Sequence, residues 1–144
     1  FRTIDCINYY GDFFEDFDKV KAIEFAARFG LDLNQKVKTM SKGMKEKVQL
    51  VLVMSRDADL YCLDEPIGGV DPATREYILR TIITNYAEDS TVLISTHLIS
   101  EVEKVLDEAI FIKQGELVRH SSVEEIRNTY GMSVDALFRE EFKC

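Results

Sequence analysis

Leu60-Tyr61-Cys62-Leu63-Asp64-Glu65-Pro66 is a short apolar run that ends abruptly in two adjacent carboxylates and a proline. Such a run, bounded by turn residues, reads as a buried strand, and a strand buried on both faces belongs to a parallel sheet. Thr91 to Ser95 has the same texture. Between the two runs, Asp71 supplies a helix cap, Pro72 a first helical position, and Ile78, Leu79, Ile82 and Ile83 an inward face. Strand, helix and strand at this spacing predict a parallel α/β unit with both strands covered on two sides. Ligands of open α/β sheets collect at the carboxyl ends of strands, where Asp64 and Glu65 stand. Adjacent acids there repel unless a cation or proton shares them. A magnesium-phosphate site is one reading, and a solvated turn closed by Pro66 is the other.

Upstream, Thr39-Met40-Ser41-Lys42-Gly43-Met44-Lys45 opens a helix expected to run from Ser41 to about Arg56. Met44, Val48, Val51, Leu52 and Met54 form its apolar face, and Ser41 is its N-cap. Unsatisfied amides and the helix dipole at such a start favour an anion. Lys36, Lys38, Lys42, Lys45 and Lys47 add local positive potential to a chain whose net charge is −8. An ordinary capped helix with a solvated lysine face explains the same residues. Before it, a helix capped by Asp18 carries Val20, Ile23, Ala27 and Phe29 and stops at Gly30. Tyr9, Tyr10, Phe13, Phe14 and Phe17 surround Gly11 in what reads as a turn-like stretch packing a small helical lobe.

Downstream, Ser95-Thr96-His97 lies at the carboxyl end of the second strand. A parallel layout places His97 near Asp64 and Glu65, where an imidazole can contact a terminal phosphate or serve only as a hydrogen-bonded structural residue. Gly68-Gly69-Val70-Asp71 forms a flexible turn just past the carboxylates. Ala109 to Ile112 and Glu116 to Val118 read as strands of a hairpin turning at Gln114-Gly115, and Ser122 with Glu125 as a capping box for a terminal helix. The composition, 46% hydrophobic and 31% charged over 144 residues, fits one folded domain. The acidic balance argues against a nucleic-acid partner. No apolar run reaches the roughly 18 residues of a membrane helix. Cys6, Cys62 and Cys144 are odd in number and lack metal-type spacing, as expected in a reducing cytoplasm.

The order of these motifs resembles the second half of an ABC-type ATPase domain. In that resemblance Met40 to Met44 is similar to the signature loop, Leu60 to Glu65 to Walker B, Gly68 to Asp71 to the D-loop, and His97 to the switch histidine. It implies an α/β fold, a partial P-loop NTPase (RecA-like) core with parallel strands and an N-terminal helical lobe. Residues 1–57 would be the helical subdomain, 58–119 the C-terminal half of the core, and 120–144 C-terminal helices. It further implies ATP and Mg²⁺ as ligands. Ser41, Lys42, Gly43, Met44 and Asp71 would take part in nucleotide binding, Asp64 would hold magnesium through water, Glu65 would be the general base, and His97 would contact the γ-phosphate. Partners would be a second ATPase subunit, arranged head to tail, and a transmembrane permease on the inner face of the membrane. Export of a drug or peptide by a bacterial transporter is the form of transport that Ser41-Lys42-Gly43-Met44 resembles. A chromosome-maintenance or DNA-repair ATPase shares these motifs but carries a long coiled coil before the signature, whereas helices here break at Gly11 and Gly30. A two-cassette translation-type protein or a non-enzymatic interaction fragment would also be compatible with these motifs.

The pattern has departures. Met40 stands where leucine is usual, Lys42 replaces the first of two glycines, Met44 replaces glutamine, and Gly68 stands where serine is frequent. A GxxxxGK phosphate loop is found nowhere, because none of the glycines is followed by another five positions later. The chain is therefore expected to resemble the C-terminal part of an ATPase, without the half that grips nucleotide. Calorimetry of the chain alone with Mg-ATP should give no binding isotherm in the micromolar range; a stoichiometric micromolar signal would refute this.

Overall fold

Gly11, expected in a turn, lies inside a helix. The computed structural model describes residues 1–85 and 89–143, and helix α1 spans Thr3–Phe13. A Cβ at Gly11 would sit 2.0 Å from Cε of Lys19. The glycine therefore admits the Lys19 stem, whose Nζ reaches Asp12 at 3.3 Å. Close approach, not chain reversal, is what this glycine provides. Tyr10, Phe14 and Phe17 pack together, with ring centroids 5.4 and 5.7 Å from Tyr10, whereas Tyr9 and Phe13 stack on the exposed side.

Helix α2, Lys19–Arg28, is capped by Asp18, whose carboxylate accepts from the Lys21 amide at 3.0 Å, and Gly30 ends it at φ +70°. Its inner face keeps Phe29 but otherwise differs from the expected one. Ala22, Phe25, Ala26 and Phe29 are buried, while Val20 is 67% and Ile23 40% exposed, and Ala27 also faces outward. Both sets satisfy the helical period, so the choice rests on packing. Two alanines let α2 approach α1 and α3 closely, and Phe25 buries more apolar area than Val20 or Ile23 would. Helix α3, Lys42–Met54, follows a 3₁₀ turn at Val37–Thr39, with Ser41 as its N-cap, and buries Val48, Leu50, Val51, Leu52 and Met54.

A polar clamp fixes the exit of α3. Arg56 donates to both oxygens of Asp16, at 3.1 and 2.9 Å, and its guanidinium lies 3.9 Å from the Phe14 ring centroid. The Asp57 and Asp18 amides donate to Asp16 and Ser55 carbonyls at 3.2 and 2.9 Å. Strand β1, Leu60–Asp64, then pairs in parallel with β2, Thr91–Ser95, in the register Leu60↔Thr91 through Asp64↔Ser95. Helix α4, Pro72–Asn85, connects them and buries Ile78, Leu79 and Ile82, with Ile83 half-buried. The strand-helix-strand unit matches the sequence expectation, but two-sided burial does not. Leu60 is 53% and Leu93 49% exposed, and Cys62 is exposed as well. Each strand alternates, and among the described residues one face of β1 is buried and one face of β2 half-buried, while the other face of each is exposed.

The chain divides after Thr96 into two compact units. This grouping follows packing rather than the order of motifs, so it differs from the segments 1–57, 58–119 and 120–144. In the second unit a helical turn α5, Ile99–Val102, and a 3₁₀ turn at Glu103–Val105 lead into an antiparallel hairpin of β3, Glu108–Lys113, and β4, Glu116–Ser122. Gln114 and Gly115 turn it with φ of 51° and 78°, the left-handed pair that a two-residue hairpin loop requires. Helix α6, Val123–Tyr130, is capped by Ser122, which accepts from the Glu125 amide at 3.0 Å, and α7, Val134–Glu141, by Ser133. Ala109 and Phe111 of the hairpin form a core with Val123, Ile126, Val134 and Leu137. Arg119 ties β4 to both helices, donating to Glu141 at 2.7 Å and to the Tyr130 hydroxyl at 2.8 Å.

The hydrogen bonds from Arg56 hold the Asp16 carboxyl below its ordinary pKa. A depressed folded pKa gives stability that is present above the unfolded value of about 4 and is lost as pH falls through the folded value. The native chain should be more stable than Asp16→Asn at pH 6, and chemical denaturation should show the difference shrinking below about pH 4.

Candidate functional site

The register of β1 and β2 brings the two strand ends to one level, and the expected acids meet hydroxyls there. Ser95 Oγ donates to Asp64 Oδ1 at 2.5 Å, the Glu65 amide donates to the Ser95 carbonyl at 2.7 Å, and Thr96 Oγ1 donates to Glu65 Oε2 at 2.9 Å. Glu65 has φ of +47°, a left-handed conformation that costs a residue with a Cβ on the order of 1 kcal/mol or more. That turn takes the chain out of the strand directly after Asp64. Asp64 is exposed and Glu65 half-buried. Hollows against Phe1, Asp5, Asn8, Tyr9 and Asp12, and between Arg28, Phe29, Gly30, Lys47, Ala73, Thr74 and Tyr77, contain neither acid. Asp64 lies open to solvent, so any chemistry there that needs water excluded needs a further surface over it.

The glycine turn packs against the start of α3. A Cβ on Gly43 would lie 2.8 Å from the Gly69 carbonyl oxygen, so the bare backbone of Gly43 is what lets the turn at 68–69 come this close. The Gly69 amide donates to Glu46 Oε2 at 3.1 Å. Glu46 belongs to none of the sequence motifs. Its signal is the spacing of three from Gly43, which puts both on one side of the helix. Ser41 Oγ accepts from the Met44 amide at 3.2 Å, so Met44 N–H is engaged within the cap. The amides of Lys42 and Gly43, first in the helix, have no intrahelical acceptor. Asp71 caps α4 by accepting from the Thr74 hydroxyl at 2.7 Å and amide at 3.2 Å; these bonds, with a smaller contribution from the Lys47 charge, hold its carboxyl below the usual range.

The structure thus joins Asp64 and Glu65 to Ser95 and Thr96, and Gly43 to Gly69. His97 is the next residue after Thr96 and the first of the second unit. Among the described residues no group of three or more His, Cys, Asp or Glu could hold a metal ion. One or two carboxylates at a strand end instead fit a hydrated magnesium ion that takes its other ligands from phosphate.

A family model described as "AAA domain, putative AbiEii toxin, Type IV TA system" matches residues 12–103. An uncharacterized ABC transporter ATP-binding protein of Methanocaldococcus jannaschii is 31% identical over 87% of this chain and 50% of its own length. The energy-coupling factor transporter ATP-binding protein of Staphylococcus saprophyticus is 32% identical over 75% of this chain and 39% of its own. A solved ATP-binding subunit of an ABC transporter superposes with a TM-score of 0.83, at 24% identity, over 99% of this chain and 63% of that one. An archaeal ribosome recycling factor, solved with a ribosomal stalk protein, shares the fold at a TM-score of 0.72 and 18% identity, over 94% of this chain and 27% of that one. The fold is a partial α/β core of the P-loop NTPase type. The chain belongs to the ABC-type ATPases and carries an AAA-type domain. It spans between 30% and 50% of the length of these and similar curated relatives. Among the described residues no helix is long and apolar enough to cross a membrane.

Gly43→Ala should destabilise the first unit, because backbone rather than a movable side chain opposes the new methyl. The net loss should be about 1–2 kcal/mol after the gain in helix propensity. At Gly69 the opposing atoms are the flexible end of Glu46, 2.2 Å from a built Cβ, so Gly69→Ala should cost less. Equilibrium denaturation of the two variants checks the order.

Proposed function

We propose that this chain supplies the signature loop and the carboxylate edge of an ATP-hydrolysing subunit that drives membrane transport. The observation that carries the reading is the pair Asp64 and Glu65, set at the carboxyl end of a parallel strand and each held by a hydroxyl from the end of β2, in a member of the ABC-type ATPases. No GxxxxGK loop occurs in this sequence, so the phosphates of ATP must be gripped by residues outside it, and the chain alone is inactive.

Magnesium bound with ATP would neutralise charge on the phosphoryl group as it transfers. Asp64, fixed through Ser95, would hold that ion through water. Glu65 would take the proton of the attacking water at its carboxylate, with His97 directed at the terminal phosphate. Ser41 Oγ accepts from Met44 and still has its own proton to donate, and the amides of Lys42 and Gly43 point out of the helix start, so this turn suits a phosphate oxygen. The open edge favours a head-to-tail pair, in which the signature turn of one subunit closes over nucleotide held by the other. Asp71, beside the glycine turn that touches Gly43, would link the two halves. The permease partner and attachment to the inner membrane face follow from the transport reading, and the form of the signature turn favours export of a drug or peptide.

The test uses the ATPase with its phosphate-gripping segment present. Glu65→Gln should retain ATP binding, lose turnover by at least about 100-fold, and accumulate ATP-bound dimers. Ser41→Arg should bind ATP yet fail to dimerise. Normal hydrolysis by Glu65→Gln refutes the base, and normal dimerisation by Ser41→Arg refutes the trans contact.

A further inference from the structure

We infer that Thr96 is a positioning residue for the Glu65 carboxylate, an inference that rests on the reading of Glu65 as the base. The backbone of Glu65 is fixed by its amide bond to the Ser95 carbonyl, by Pro66 after it, and by its left-handed φ. The carboxylate lies three side-chain torsions away and needs a contact of its own to be oriented. The bond from Thr96 Oγ1 to Oε2, at 2.9 Å, is such a contact. Holding one oxygen sets the plane of the carboxylate and therefore the direction in which the other can accept a proton.

Threonine suits this task because its branched Cβ restricts χ1, so the hydroxyl direction follows the backbone that leaves β2. That backbone is locked to β1 by the register ending at Asp64↔Ser95. Ser95 performs the matching service for Asp64. Two successive residues at one strand end thus donate to two successive acids of its neighbour. A donor to an ionised carboxylate also forms one of the stronger classes of hydrogen bond. Misplacement of a reacting group by about 1 Å can cost on the order of 100-fold in rate, so orientation at this edge has consequences for turnover.

The first test needs no nucleotide. In the chain as it stands, NMR couplings and methylene relaxation of Glu65 should report one side-chain rotamer in the native chain and in Thr96→Ser, and averaging over rotamers in Thr96→Val. A single retained rotamer in Thr96→Val overturns the inference. Should that variant fail to fold, Thr96→Ala removes the same hydroxyl. In the ATPase with its phosphate-gripping segment present, Thr96→Val should lower kcat by roughly 10- to 100-fold with KM for ATP and ATP-driven dimerisation unchanged. Thr96→Ser should recover most of the rate, and Thr96→Val should slow a Glu65→Gln enzyme no further. Native kcat in Thr96→Val alongside an inactive Glu65→Gln overturns the positioning role and leaves the base standing. An active Glu65→Gln removes the base itself, whatever the rotamer data show.

Discussion

The parallel pairing of β1 and β2 is the constraint on which the site depends. Its five residue pairs end at Asp64 and Ser95, and everything chemical in the first unit is placed relative to that last rung. One residue of slippage would carry every side chain of a strand to the opposite face, removing the hydroxyls of Ser95 and Thr96 from their acids and burying Leu60 in place of Tyr61. Register here is held from both ends. Ser90 donates to the Ala58 carbonyl and the Thr91 amide to the Asp59 carbonyl at the start. The Glu65 amide closes on Ser95 at the finish.

A second constraint orients the helical lobe. The Asp16–Arg56 clamp fixes where α3 ends, and the contact between Gly43 and Gly69 fixes where it begins. Helix α3 is thereby referred at one end to the α1–α2 connection and at the other to the turn that follows the carboxylates. The signature-like turn and the glycine turn are consequently one packed element. The second unit keeps its own core behind the hairpin, where a bulge between Phe111 and Ile112 accommodates the extra residue Val118 and turns Ile112 and Leu117 outward together.

Much of this was legible in the residue order. The strand limits at Thr91 and Ser95, the caps Asp18, Ser41, Asp71 and Ser122, and the hairpin turn at Gln114-Gly115 all follow from local chemistry, whereas the family was legible through the resemblance of the motif order to ABC-type ATPases. Caps and turns are satisfied within three or four residues, so their partners are visible in sequence. Three features depended on distant contacts. The inner face of α2 was decided by which side chains fit against α1 and α3, since two faces satisfied the same period. Gly11 lies in a helix, where the Lys19 stem passes close to its backbone. The outer faces of β1 and β2 are open because apolar residues in a strand signal that it can be buried on both sides, whereas burial itself requires an element lying over them. The site shows the same division. Sequence determined that Asp64 and Glu65 end a strand and that Ser95 and Thr96 end another. Only tertiary structure decided that each hydroxyl meets its own acid and that Glu46 reaches Gly69, because hydrogen bonds across 31 and 23 residues exist only once strand register and helix packing have brought their ends together.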